Sequence, residues 1–194
     1  MTDTTEIHAR NVAEKLKHCH GIIVPGGFGN RGIEGKIECV RYARENKIPF
    51  LGICLGFQMA VIEFARHVCQ IADADSTEFA PKSKNPVIDI LPEQKQIEGL
   101  GGNMRLGAKD ITLVAGSMIS HLYDDAVTRR LRFRHRYEVD PRYLDVLHQH
   151  GLIFSGRHPT QPIMHRLECP PAMHPYFVGT QAHPCLTSRP LNPD

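Results

Sequence analysis

Two residue types far apart in the chain could do chemistry together. Cys54 lies in Phe50-Leu51-Gly52-Ile53-Cys54-Leu55-Gly56-Phe57-Gln58, where an apolar strand pattern runs into Gly-x-Cys-x-Gly and directly into a helical pattern. That is the nucleophile-elbow arrangement: the central residue sits on a tight, strained turn, and glycines two residues to either side relieve the crowding. A helix N-terminus beneath Cys54 is expected to lower its thiol pKa and to offer free backbone amides to a developing oxyanion. The plainer alternative is a buried cysteine at an ordinary strand end; the strand and helix patterns on both sides favour the nucleophile. A thiol nucleophile needs a base, normally histidine, and a third group to orient it. His183 follows the apolar run Tyr176 to Gln181 and precedes Pro184, which places it at a strand end, but eleven of the 12 histidines compete and no spacing rule alone selects it.

A second feature is Gly27-Phe28-Gly29-Asn30-Arg31-Gly32, a Gly-x-Gly-x-x-Gly loop between a strand and a helix. Alone it would suggest a dinucleotide site, but the acidic residue expected at the end of the next strand is missing, and that strand ends at Cys54. The loop fits better as a source of amides for a carbonyl oxygen polarised over Cys54. The six cysteines, at 19, 39, 54, 69, 169 and 185, lack the paired close spacing of a zinc or redox site. Adjacent residues in His18-Cys19-His20 diverge too much to ligate one ion, so no metal is expected.

The elements that must position these groups follow from periodicity. Residues 4 to 17 read as an amphipathic helix capped by Thr4 or Thr5, with Ile7, Val12 and Leu16 near one face. Gly21 to Val24 is a buried strand, 33 to 46 a helix, Phe50 to Ile53 a strand opened by Pro49, and Leu55 to His67 a helix. Beyond Cys69 the pattern loosens. Val87 to Leu91 and Ile111 to Val114 read as strands, Gly99 to Gly102 as a turn, Ser120 to Thr128 as a short helix and Phe133 to Val139 as one extended segment. Asp140 to His150 reads as a helix stopped by Gly151, and Ile153 to Ser155, Ile163 to Leu167 and Tyr176 to Gln181 as late strands. Alternating strands and helices predict an α/β fold, a mostly parallel sheet with helices on both faces, over one domain spanning 1–194.

Composition narrows the classes. With 23 Lys+Arg against 21 Asp+Glu the formal charge is +2, which gives no electrostatic case for a nucleic-acid or membrane-surface partner. A hydrophobic content of 41% is that of a globular chain. Apolar runs such as Ile48 to Leu55 are far too short to span a bilayer, and no secretory signal pattern opens the chain, so a cytoplasmic location is expected.

Pro25-Gly26-Gly27-Phe28-Gly29, Gly52-Ile53-Cys54-Leu55-Gly56-Phe57-Gln58 and Gln181-Ala182-His183-Pro184 resemble the three signature blocks of class I, triad-type glutamine amidotransferase domains. Within that superfamily, four further segments resemble the glutaminase domains of CTP synthases. They are Ser76-Thr77-Glu78-Phe79, Gly102-Asn103-Met104-Arg105-Leu106-Gly107, Arg134-His135-Arg136-Tyr137-Glu138-Val139 and Ser188-Arg189-Pro190-Leu191. The match covers nearly the whole chain. The resemblance implies a flavodoxin-like core and a cysteine that attacks the side-chain amide of L-glutamine, forming a glutamyl thioester and releasing ammonia. Carried over residue by residue, it makes Cys54 the nucleophile, His183 the base, and the amides of Gly27 and Leu55 the oxyanion hole. Gln58, Glu78 and Arg136 become the residues that recognise the amino-acid end of glutamine. Glu78 can pair with the α-ammonium and Arg136 can grip the α-carboxylate, with Arg134 a near competitor. The implied partner is a CTP synthase amidoligase domain, in an enzyme that is a homo-oligomer at full length. ATP, Mg and UTP would belong to that synthetase domain, for which this chain has no Gly-x-x-x-x-Gly-Lys-Ser/Thr loop, so no cofactor is expected here.

The chain departs from the family pattern in three places. His183-Pro184-Cys185 replaces His-Pro-Glu, so Cys185 occupies the position of the triad acid and, two residues along an extended segment, is expected to face the imidazole of His183. A neutral thiol cannot stabilise an imidazolium as a carboxylate does, although a Cys–His pair depends less on such an acid than a Ser–His pair. The family's opening strand, helix and strand lie before the segment equivalent to Thr4, so N-terminal strands are expected to be missing, and the family's closing helix would lie past Asp194. Two readings result: a glutaminase supplying ammonia for amination of UTP to CTP, or a degenerate amidotransferase fragment serving as a binding or regulatory module. A nucleotide-binding Rossmann domain, resting on the glycine loop alone, is the weakest reading.

Overall fold

A computed structural model describes residues 1–90, 104–191 and 193. In chain order its strands are β1 (Ile22–Val24), β2 (Phe50–Ile53), β3 (Ala74–Ser76), β4 (Asn85–Asp89), β5 (Arg105–Leu113), β6 (Thr128–His135), β7 (Glu138–Val139), β8 (Ile153–Arg157), β9 (Met164–Glu168) and β10 (Phe177–Thr180). The helices are α1 (Val12–Leu16), α2 (Ile33–Glu45), α3 (Leu55–His67), α4 (Met118–Leu122) and α5 (Leu144–Gln149). Seven strands form one sheet in the order β1-β2-β10-β9-β8-β5-β6, and β3-β4-β7 form a second, smaller one.

The α/β class read from the sequence holds. β1, β2 and β10 run parallel, with Ile22 opposite Phe50 and Phe177 also opposite Phe50. Beyond β10 the large sheet turns antiparallel, through β9, β8, β5 and β6. Helices α2 and α3 pack on the parallel strands, but β1, expected to be buried, is so on one face only: Ile22 and Val24 are buried and Ile23 is 65% exposed. α3 buries every residue from Leu55 to Ala65, and α2 buries Ile33, Ile37, Val40 and Ala43. Between these two helices Arg44 donates to both carboxylate oxygens of the fully buried Glu63 at 2.8–3.1 Å. A charge pair taken out of water this way is worth little net stability but is costly to break one-sidedly, so it fixes how the two helices lie.

Several boundaries move. The expected helix over 4 to 17 is two pieces, a 3-10 turn at Thr4–Glu6 capped by Asp3, and α1. Asn11 accepts from the His8 amide at 2.8 Å and donates to the Glu6 carbonyl at 2.8 Å, which satisfies the backbone locally and interrupts the helix. The helix expected over Ser120 to Thr128 is α4, capped by Ser117 and ended where Asp124 and Asp125 take φ of 54° and 56°. Thr128 already belongs to β6. Ile111 to Leu113 is the end of a nine-residue strand, with Val114 just past it, and Phe133 to Val139 is not one segment. The chain leaves the large sheet at His135 and enters the small one at Glu138, crossing over at Arg136 and Tyr137. β3 was not legible in the sequence. Leu91, Gly99 to Gly102 and Asn103 lie outside the described residues. Among the described residues, no helix is long and apolar enough to cross a membrane.

The glycines flanking Cys54 have a steric cause. A Cβ on Gly56 would lie 2.0 Å from the Val24 carbonyl oxygen, and one on Gly52 would lie 2.5 Å from the Gly56 carbonyl oxygen. Both clashes are with backbone, so no rotamer relieves them. Gly56→Ala is expected to cost about 1–3 kcal/mol through overpacking. A lowered midpoint in thermal unfolding checks this, and an unchanged midpoint would show that α3 can slide away from β1.

Candidate active site

Cys54 sits between β2 and α3 with φ 52° and ψ −99°, a backbone conformation unusual for a residue with a side chain. Both flanking elements grip it. Its amide donates to the Thr180 carbonyl at 2.7 Å, and its carbonyl accepts from the Gln58 amide at 3.2 Å. The sulfur is buried and lies 4.0 Å from the Arg134 carbonyl. Burial pushes the thiol up to about 11, with the charges of Glu78 and Glu138 acting in the same direction, while the Leu55 amide and the Gln181 side chain oppose it. The helix N-terminus therefore acts on the thiol as the sequence suggested, but desolvation is the larger effect and the resting group is a thiol rather than a thiolate.

His183 lies three residues past β10, as its position after an apolar run implied. Its amide donates to the Arg132 carbonyl at 2.9 Å. A Cβ on Gly26 would stand 2.9 Å from Cε1 of His183 and 3.4 Å from Cβ of Cys54, so the imidazole and the thiol flank one bare stretch of backbone. Burial lowers the pKa of His183, the Arg134 carbonyl opposes that shift, and the charges of His135 and Arg134 add to it. In the resting site Sγ faces the Arg134 carbonyl and Nε2 of His183 is buried without a partner, so the thiol's proton passes to the neutral imidazole only once the two side chains close on each other. Cys185 does not lie on the extended segment expected of it. Residues 184 to 186 form a 3-10 turn, because Pro184 opens a tight turn closed by the Leu186 and Thr187 amides, and Cys185 is exposed on it.

These groups open into a cavity of about 690 Å³, lined among others by Gly27, Gln58, Glu78, Arg134, Arg136 and Tyr137 together with Cys54 and His183. Each comes from a different device. Gly27 approaches Leu55 closely, a Cβ there standing 3.3 Å from Cδ2 of Leu55. Glu78 follows β3 and accepts from the Gly29 amide at 2.9 Å, which ties the glycine loop to the small sheet. Arg134 and Arg136 are exposed residues on either side of His135, brought to the cavity by the crossover between sheets. Glu78 and Arg136 both act on the Tyr137 hydroxyl, in opposite directions, so the cavity presents a carboxylate and a guanidinium in one neighbourhood. Gln58 is buried, and its Nε2 donates to the Tyr137 carbonyl at 3.1 Å and to Oε1 of Gln181 at 3.2 Å.

Behind the cavity lies a buried polar cluster that sequence reasoning did not assemble. Arg105 donates to Oε1 of Glu138 at 2.6 Å, and Nε2 of His135 lies 2.9 Å from the same oxygen. Burial would raise the Glu138 pKa, but His135 and then Arg105 outweigh it and the carboxyl is held below its ordinary value. Donor atoms of His135, Glu138 and His165 lie within 4.8 Å of one another, a spacing that could suit a metal ion. The Arg105 guanidinium already supplies a positive charge against Glu138, so the cluster reads as a buried ion-pair network. Its members sit in segments quoted above: the pairing of β5 with β6 sets Arg105 opposite His135, and His165 comes from β9.

Comparison with known proteins bears on the family of the whole chain. The family model "Glutamine amidotransferase class-I" matches residues 2–194. A CTP synthase of Methanopyrus kandleri is 56% identical over 180 residues, 93% of this chain and 33% of that protein. One from Desulfitobacterium hafniense is 54% identical, covering 97% of this chain and 35% of that protein. The chain thus spans about a third of the length of these relatives. The solved glutaminase domain of Trypanosoma brucei CTPS, with bound acivicin, superposes with a TM-score of 0.91 at 36% identity, covering 100% of this chain and 75% of that one. Strained cysteine, adjacent imidazole and matching family model lead to one conclusion: this chain belongs to the class I glutamine amidotransferase family.

Proposed function

We propose that the chain hydrolyses L-glutamine to glutamate and ammonia through a thioester on Cys54, and that the ammonia passes to a CTP synthase amidoligase domain for amination of UTP to CTP. The observation that carries this reading is the strained, buried Cys54 sharing the Gly26 backbone with His183 at the floor of a cavity lined by Glu78 and Arg136. His183 takes the thiol proton as sulfur bonds to the amide carbon, and the amides of Gly27 and Leu55 receive the developing oxyanion. His183 then returns the proton to the departing ammonia, and a water molecule hydrolyses the thioester. Glu78 binds the α-ammonium and Arg136 the α-carboxylate; Gln58, whose nitrogen already has two protein acceptors, offers its oxygen to the substrate. None of these steps calls for a cofactor. ATP, Mg and UTP belong to the synthetase domain, and the assembled enzyme is a cytoplasmic homo-oligomer on this reading.

Ammonia and glutamate release from L-glutamine tests the proposal, with Cys54→Ala as the control that should abolish it. Acivicin, which is bound in the Trypanosoma glutaminase domain, should modify Cys54 in peptide mapping. Release that survives Cys54→Ala, or modification elsewhere, would overturn the assignment. Arg136→Ala should raise the glutamine KM more than it lowers kcat, with a loss of about 2–4 kcal/mol in kcat/KM from an unpaired carboxylate. If Arg134→Ala gives that loss and Arg136→Ala does not, the two arginines exchange roles.

The exposed Cys185 favours a second reading, a degenerate module that binds rather than turns over. Restoring the acid separates the two. Cys185→Glu should raise kcat about 10- to 1,000-fold, below the effect of losing the acid in a serine triad because a thiol depends less on its base. Equal turnover in an equally folded variant would mean that another carboxylate already orients His183, or that His183 is not the base.

A further inference from the structure

Gln181 has no role in the reaction outlined above, although it is fully buried one residue past β10. Its backbone is fixed on both sides: the Thr180 carbonyl receives the Cys54 amide at 2.7 Å, and the Gln181 amide donates to the His165 carbonyl at 2.9 Å. The orientation of its side chain follows from its neighbour. Gln58 faces the Tyr137 carbonyl at 3.1 Å, which accepts only a donor, so nitrogen must stand there. That same nitrogen meets Gln181 at 3.2 Å, so Gln181 must present its oxygen to Gln58 and its nitrogen to the other side. Nε2 of Gln181 is buried and has no hydrogen-bond partner in the resting site. A buried amide donor left unsatisfied is unfavourable, and such groups in folded proteins call for an explanation. Gln58 lies one turn of α3 beyond Cys54, and the Gln181 side chain acts on the Cys54 thiol in the direction that favours its ionised form.

We propose that Gln181 is a hydrogen-bond donor to the Cys54 sulfur in its thiolate state, held in the donating orientation by Gln58. The donor is unsatisfied while the sulfur is protonated and becomes satisfied when His183 removes the proton. Part of the gain on forming the nucleophile is thereby built into the protein. Gln58 acquires a second task besides facing the substrate, since its nitrogen sets which end of Gln181 points at the thiol. The inference rests on Cys54 being the nucleophile and deepens that assignment.

The test is the pH dependence of Cys54 modification by iodoacetamide in the absence of glutamine, followed by peptide mapping so that the exposed Cys185 does not contribute. Gln181→Met keeps the bulk and removes the donor. It should slow Cys54 modification about tenfold at neutral pH and move the midpoint of the rate profile upward, a change the size of one charge-assisted hydrogen bond. Gln58→Met should shift the midpoint in the same direction by less, because the Gln181 amide can then rotate. If Gln181→Met melts without cooperativity, Gln181→Glu keeps the shape and exchanges donor for acceptor, and its midpoint should rise by at least as much. A purely structural Gln181 would leave the midpoint where it is, and an unmoved midpoint in a folded variant overturns the proposal. Failure of the underlying assignment looks different: the Cys54→Ala variant would still release ammonia from glutamine.

Discussion

The backbone of Cys54 is the constraint on which the rest of the site depends. A residue with a side chain at φ 52° and ψ −99° is strained by roughly 1–3 kcal/mol, and it persists only if its surroundings overdetermine it. The surroundings here are the first turn of α3 on one side and the end of β10 on the other, each holding one peptide group of the cysteine. Because Gly56 seats directly on the Val24 carbonyl, α3 starts as close to β1 as backbone allows. The bare backbone at Gly26 then lets His183 approach from the end of β10. Nucleophile and amides are thus placed by the parallel half of the sheet, while β6 of the antiparallel half holds the His183 amide through the Arg132 carbonyl and faces the Cys54 sulfur with the Arg134 carbonyl.

How much of this was legible depended on distance along the chain. β1, α2, β2 and α3 each carry an uninterrupted apolar period, and their bounds fall within a residue of those read from sequence. Cys54 was legible because the elbow needs glycines at fixed short spacing. His183 was not, since its relation to Cys54 is created by β10 lying beside β2, a pairing between residues more than a hundred apart. The N-terminal helix was misread because periodicity does not register that Asn11 satisfies the backbone of its neighbours. The crossover at Arg136 was hidden for a similar reason: Phe133 to Val139 alternates throughout, and nothing local marks the change of sheet. Position 185 was misjudged by extending a strand geometry through a proline that opens a tight turn.

The resting site is a neutral pair, and the charges around it explain why. Burial is the largest effect on Cys54 and on His183, and it disfavours the charged form of each, keeping the thiol protonated and the imidazole neutral. Two carboxylates, Glu78 and Glu138, press further against a thiolate. They differ in one respect. Glu138 is enclosed with Arg105 and His135, whereas Glu78 lines the cavity and is tied to the glycine loop. Only Glu78 can meet an incoming ligand.

That difference gives the proposed reaction a natural order. In an empty cavity the field of Glu78 opposes ionisation of Cys54 and so restrains a reactive sulfur when no substrate is present. An α-ammonium bound at Glu78 would neutralise that field. It would do so without touching Arg136 or the oxyanion amides. The thiolate then gains on two sides at once, from the charge removed at Glu78 and from the donors at Leu55 and Gln181. In the proposed reaction, substrate recognition and nucleophile formation would be coupled through this one carboxylate. The coupling needs no movement of the backbone, which the grip of β10 and α3 on Cys54 would in any case resist.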